Sequence, residues 1–392
     1  MFSSSTMSFI NVFMILWLLR SSSLYANGCY TSIISFGDSL TDTGNIKKIA
    51  SISKNYITSL HSPYGETFFH HPTGRASDGR LIIDFLAEGL GLPLIPPFLH
   101  DKDGENVTAL GQGVNYAVIG ATTLDSSFFE SRRIVNPSTN ASLGVQLEWF
   151  KRSLSSICSN VSDCRNLMER SLILMGEIGG SDYNLLVFND KPLDEIESSI
   201  PLVTDTIISA VNELIDMGAQ TIVVPGTFQL GCSSEYLTRR GSKNKEEYDN
   251  TTGCLIRFNK FAEYHNKLLQ IKLNQLRQLH PDIFIIYADY YNAAMQIIRS
   301  PAKFGFLNKV LKSCCGGGGP YNFNELAECG YPSAGVCDDP NVYVYWDGVH
   351  FTEATNRIIF TSLFQGPYTT PQFNTLCPTI KSQVGYAHTL DM

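Results

Sequence analysis

Residues 32–40 read SIISFGDSL, a short apolar run placed directly against a turn. A strand covered by helices on both faces reads as a nearly continuous apolar stretch, because neither side meets water. Ser32–Phe36 is therefore predicted to be such a strand, ending at Gly37. The same signature recurs in Ser171–Ile178 (SLILMGEI), Thr221–Val224 (TIVV) and Ile283–Ala288 (IFIIYA), with a shorter candidate at Val114–Val118. Helical spacing fills the gaps. Asp78–Gly89 carries Leu81, Ile82, Phe85 and Leu86 on one face, and Asp194–Met217 is followed by Gly218 as a C-terminal stop. Leu255–Leu279 precedes Pro281, and Thr352–Phe364 opens with Thr352 as cap and Glu353 in its first turn. This alternation predicts an α/β fold, a parallel sheet with helices on both faces.

The chain has 392 residues, 43% of them hydrophobic, which is enough apolar material for a substantial core. Its net charge of -8, with basic residues in nothing longer than pairs such as Lys47-Lys48, argues against nucleic acid as a partner. An apolar run from Phe9 to Leu19 matches the core of a signal peptide and is short for a bilayer span. With Leu24-Tyr25-Ala26 as the cleavage end, residues 1–26 are expected to be a signal peptide and 27–392 a single domain. The mature chain is then secreted, through the secretory pathway to the extracellular space or vacuole, without stable membrane insertion. All ten cysteines follow that point, and an even count in a secreted chain favours disulfides. Cys158 and Cys164 would close a short loop and are the pair legible from sequence; the other connectivities stay open. Four N-x-[ST] sequons, at Asn106, Asn140, Asn160 and Asn250, agree with secretion. Cys314–Pro320 (CCGGGGP) reads as a flexible surface loop pinned by cysteines.

In open parallel sheets, functional groups gather at the carboxyl ends of the strands. Ser39 sits just past the first strand, where its hydroxyl can project into the crevice and its N–H can meet an oxyanion. A serine hydroxyl is a weak nucleophile and needs a base within hydrogen-bond reach. Among eight histidines, His350 stands apart, because Trp346-Asp347-Gly348-Val349-His350 spaces a carboxylate three residues before the imidazole. One tight turn then lets Asp347 orient the ring and stabilise its cationic form. Gly113 and the segment Gly179-Gly180-Ser181-Asp182 offer donors for an oxyanion hole.

Taken together, these residues resemble the plant secreted branch of the GDSL lipase/esterase family, the SGNH hydrolases. The likeness runs through FGDSLTDTGN (36–45), PTGRASDGRLIIDFLAEGLGLP (72–93), GVNYAVIGAT (113–122), GEIGGSDYN (176–184), VPGTFQLGC (224–232) and YVYWDGVHFTEAT (343–355), nearly all of the mature chain. It implies a flavodoxin-like three-layer α/β/α sandwich with a roughly five-stranded parallel sheet and no metal or organic cofactor. It implies Ser39 as nucleophile, His350 as base and Asp347 as its orienter, with Ser39, Gly113 and residue 181 forming the oxyanion hole. Residue 181 departs from the family's Gly-x-Asn-Asp block, being Ser181. The implied activity is hydrolysis of a small-molecule ester, of the short-acyl or aromatic-acyl kind found in plant specialised metabolism. The alternatives are an acyltransferase using the same acyl-enzyme, or, because of Ser181, a weakly active or non-catalytic binding homologue.

Overall fold

Six strands form one sheet in the order β2-β1-β3-β4-β5-β6 in the computed structural model, which describes residues 29–99, 113–306 and 309–381. The expected signal peptide and the Asn106 sequon lie outside the described residues. The strands are β1 (Ser32–Ser35), β2 (Gly113–Asn115), β3 (Ser171–Leu174), β4 (Thr221–Pro225), β5 (Phe284–Ala288) and β6 (Thr369–Thr370). The first five run parallel, as the apolar runs predict. β6 pairs antiparallel with β5 through Thr370–Tyr287 and Thr369–Ala288. Two residues are too few to leave a periodic signal, so the sheet has one strand more than expected.

Among the described residues nine helices of eight residues or more cover the sheet: α1 (Asn45–Ser53), α2 (Ile82–Gly89), α3 (Leu143–Ile157), α4 (Val161–Arg170), α5 (Gly180–Phe188), α6 (Leu193–Asp216), α7 (Ile256–Leu279), α8 (Tyr290–Arg299) and α9 (Glu353–Phe360), with shorter helices and turns between. The period of two along each strand sorts the core into two layers. Ile34, Ile173, Ile222, Val224 and Ile285 face Ile46 of α1, Phe150 of α3, Ile207 of α6 and Leu269 of α7. Ile33, Leu172, Leu174, Val223 and Ile286 face Phe85 of α2, Ala294 of α8 and Phe360 of α9. Each such aliphatic side chain contributes about 1.5–3 kcal/mol when fully buried, so both layers are needed to hold the strands flat between them. The result is the three-layer α/β/α sandwich. Among the described residues no helix is long and apolar enough to cross a membrane.

All ten cysteines pair, as Cys29–Cys377, Cys158–Cys164, Cys232–Cys254, Cys314–Cys337 and Cys315–Cys329. The Cys158–Cys164 bridge is the one read from sequence. The CCGGGGP stretch is pinned by its cysteines as expected and reaches the surface at Gly319 and Pro320, but its first half is not a surface loop. Cys314 and Cys315 are buried, and their N–H groups bond Tyr345 and Trp346 carbonyls at 3.0 and 2.7 Å. Gly316 and Gly317 pack closely, since a Cβ on Gly316 would lie 1.9 Å from the Asn322 carbonyl oxygen, while Gly318 has open space and Gly319 is exposed. Asn140, Asn160 and Asn250 are exposed.

Candidate active site

The parallel strands deliver their carboxyl ends to one rim, and Ser39 lies four residues beyond β1 on that rim. Gly37 turns the chain with φ 133°; a Cβ there would come within 2.9 Å of the Glu177 carbonyl oxygen. The Asp38 N–H bonds that carbonyl at 2.9 Å, and the N–H groups of Thr41 and Asp42 return to the Asp38 carbonyl. Ser39 is held at the apex, and among the described residues its own N–H has no acceptor.

The structure brings Ser39, His350 and Asp347 together. Ser39 Oγ is 2.8 Å from His350 Nε2, and His350 Nδ1 is 2.7 Å from Asp347 Oδ2. The tight turn is built by Asp347 itself, whose Oδ1 accepts the N–H groups of Val349 at 2.9 Å and His350 at 2.8 Å. Oδ2 takes a second donor, the Tyr64 hydroxyl, at 2.7 Å. Burial alone would raise the Asp347 carboxyl, but His350 and these donors outweigh it and hold it down to about 2. Burial alone would likewise lower His350; the Asp347 charge and hydrogen bond, with Asp38 and Glu235 behind them, win and raise it. A raised, carboxylate-backed imidazole in contact with a hydroxyl can take its proton and later return it.

Ser181 and Asn184 line the same cleft, from the first turn of α5 and one turn further on. Ser181 Oγ donates to Asp38 Oδ2 at 3.2 Å. Asn184 Oδ1 accepts the Tyr236 hydroxyl at 2.8 Å. Beneath them Asp38 and Glu177, 3% and 2% exposed, face each other. Burial raises both carboxyls, and the neighbouring Asp38 charge pushes Glu177 well above its ordinary range, so the pair keeps a proton.

Gly113 is not brought to this cleft. It opens β2 opposite Ile33, with φ 122°, and a Cβ there would lie 2.3 Å from the Ile33 carbonyl oxygen. Its glycine requirement is thus a strand-packing one at the amino end of β2. A different glycine of the same block follows the carboxyl end of β2. Tyr116 N–H bonds the Ser35 carbonyl at 2.7 Å and Val118 N–H the Gly37 carbonyl at 3.1 Å. Gly120 lies two residues past Val118, beyond the last of these bonds, with φ 75°. Its loop is pinned by two buried aspartates: Asp42 Oδ2 accepts Ile119 N–H at 2.9 Å, and Asp182 accepts Thr123 and Leu124 N–H at 2.7 and 2.9 Å. Gly120 stands in the same GVNYAVIGAT block as Gly113, and counting the register from Ser39 is the signal that tells them apart.

Residues 33–363 match the family of GDSL-like lipases/acylhydrolases. A GDSL esterase/lipase of Arabidopsis thaliana is 54% identical over 348 residues, covering 89% of this chain and 88% of the relative. A second Arabidopsis GDSL esterase/lipase is 53% identical over 348 residues, covering 89% and 85%. Sinapine esterase of Brassica napus is 48% identical over 349 residues, covering 89% and 88%.

Proposed function

The chain belongs to the GDSL-like lipase/acylhydrolase family and is a carboxylic-ester hydrolase, and from that premise we propose that it is secreted and works through an acyl-enzyme on Ser39. The observation that carries this reading is the unbroken contact from Ser39 Oγ to His350 to Asp347, at 2.8 and 2.7 Å. His350 Nε2 takes the Ser39 proton as Oγ attacks the ester carbonyl. The negative oxygen is met by the Ser39 N–H, with the N–H of Gly120, beyond the carboxyl end of β2, as its partner donor. His350 then gives its proton to the departing alcohol, and a water activated by the same nitrogen releases the acid. Ser181 is a weak third donor, since its hydroxyl is engaged by Asp38.

The substrate proposed is a short-acyl or aromatic-acyl ester of a plant specialised metabolite. Its support is the 48% identity to sinapine esterase. Passage through the secretory pathway, after removal of residues 1–26, is supported by ten paired cysteines and by exposed sequons at Asn140, Asn160 and Asn250.

The test uses the purified chain, a short activated ester and an organophosphonate that labels activated serines. Wild type is expected to hydrolyse the ester and take one label on Ser39. Ser39→Ala should lose at least about 10⁴-fold in kcat and take no label, as removal of a nucleophile does in serine hydrolases. Label on Ser39 without hydrolysis would indicate acyl transfer to another acceptor. A Ser39→Ala variant with near-normal turnover would remove Ser39 from the mechanism.

A further inference from the structure

Tyr64 is 283 residues from Asp347 in sequence, yet its hydroxyl lies 2.7 Å from Asp347 Oδ2. That oxygen is the one facing His350 Nδ1, also at 2.7 Å. An ionised carboxylate has only lone pairs, so the phenol is the donor. With Val349 and His350 N–H on Oδ1, the four acceptor positions of the carboxylate are then all filled. Tyr64 is 3% exposed, so solvent water does not compete for the bond.

The placement of this phenol is built from two directions. Its ring meets Trp346 edge-on with centroids 5.8 Å apart, inside a buried cluster with Cys314, Cys315, Cys329 and Tyr343. Its own segment is clamped to the doubly bridged stretch that holds those cysteines. Tyr56 donates its hydroxyl to the Gly330 carbonyl at 2.6 Å, and a Cβ on Gly330 would lie 2.6 Å from the Thr58 carbonyl oxygen. The Ser313 hydroxyl donates to the Asp347 carbonyl from the same stretch. Disulfides, Tyr64 and the His350 turn thus form one packed unit.

We infer that Tyr64 is a positioning residue for the ester-cleaving reaction, acting through Asp347. Its bond fixes the rotation of the Asp347 carboxylate, so that Oδ2 points along the Nδ1–H direction. It also takes up part of the negative charge on Oδ2, which moderates the hold of Asp347 on the imidazolium. The inference rests on the reading of Ser39, His350 and Asp347 as the reacting chain. Loss of the phenol leaves that charge to His350 alone. The imidazolium is then held more tightly, and the base is formed at higher pH. Other groups face these two residues: Asp38 and Glu235 toward His350, and Glu235 and Glu328 toward Asp347, with Arg239 paired to Glu235. Glu235, pushed up to about 7 mainly by burial, titrates in the same range. All of them remain in a Tyr64 variant, so the difference from wild type isolates the phenol.

The experiment is Tyr64→Phe in the full chain, which keeps the ring against Trp346. On a short activated ester, kcat should fall about tenfold with KM within about twofold, the scale seen when an outer partner of a catalytic group is removed. The acidic limb of kcat/KM should move to higher pH, and the downfield proton resonance of His350 Nδ1 should shift. In an Asp347→Asn background the same substitution should cost nothing further. An unchanged limb and resonance with kcat within twofold of wild type would overturn the inference, as would a full tenfold loss in the Asp347→Asn background. The two readings fail separately. A wild type that neither hydrolyses esters nor labels at Ser39 removes the reaction, while the Nδ1 resonance still reports whether Tyr64 acts on the Asp347–His350 pair.

Discussion

Ser39 stands between two buried carboxyl systems that carry opposite protonation. On one side Asp347 is held down to about 2; on the other Glu177 is pushed well above its ordinary range and shares a proton with Asp38. Burial is common to both sides, so burial does not decide the outcome. Donors do. Asp347 receives four hydrogen bonds, from Tyr64, Val349 N–H and both His350 nitrogens that face it. Asp38 receives Leu40 N–H at 3.0 Å and the Ser181 hydroxyl at 3.2 Å, and Glu177 Oε1 has no partner at all among the described residues. A buried carboxylate that faces an imidazole and has a full set of donors stays ionised and can steady the cation. One with few donors stays charged only by leaving the cost to its neighbour.

The sharpest break of this comparison is Asp347→Asn. The change keeps the shape of the turn but removes the charge that His350 leans on, and kcat should fall by about 10⁴. A loss under tenfold would mean that the His350 side owes nothing to its carboxylate. A smaller effect is expected across the cleft. Ser181→Asn replaces a hydroxyl turned toward Asp38 with a longer amide, and kcat on a short ester should rise about tenfold, part of what one oxyanion donor is worth. No change would show that the cleft is already supplied, with Asn184 the nearest source on the same face of α5.

The smallest effect concerns stability. A carboxyl whose folded pKa is raised binds more protons folded than unfolded, so stability falls as pH rises from its unfolded value toward its folded one. Asp182 and Glu235, each pushed up to about 7 chiefly by burial, act this way together with Glu177. His350, also raised, adds stability that is complete below its unfolded pKa and lost as pH climbs through the folded one. Asp347 has the opposite sign, but its contribution is lost only as pH drops below the ordinary carboxyl range toward about 2. The unfolding midpoint should therefore be higher near pH 5 than near pH 8, by on the order of 5 °C. Glu177→Gln, which keeps the shape but cannot titrate, should flatten that slope while changing kcat less than about threefold. A midpoint that rises with pH would contradict the protonated state of the Glu177 side.

Most of the frame is legible in the sequence because burial on both faces writes it there. SIIS, SLIL, TIVVP and FIIYA each form strands where the apolar runs stand, and α6, α7 and α9 start within one residue of their predicted starts. Ser39, Asp347 and His350 are legible because each follows a strand end or sits in one local turn. What the sequence hides is set by distance and register. Gly113 and Gly120 look alike until the β1–β2 ladder is counted. Tyr64 reaches Asp347 across 283 residues with no local pattern to announce it. Helix α2 begins at Ile82 and not Asp78, because Asp78 Oδ1 is spent on the Glu353 N–H of α9 at 2.7 Å. Four of the five disulfides could not be paired from spacing, and two of them turn the glycine-rich stretch from a loose loop into the buttress of the His350 turn.

The Cys29–Cys377 bridge joins residues 348 apart and encloses β1–β6, α1–α9 and the whole reactive cleft within one covalent ring. A protease that cuts any single exposed loop inside that ring opens it without dividing the molecule. Its two pieces would run as one species until a reductant is added, and the severed ends would stay tethered near their native partners. The bridge also cannot form until residue 377 has been synthesised, so the ring closes only after every strand of the sheet has been made.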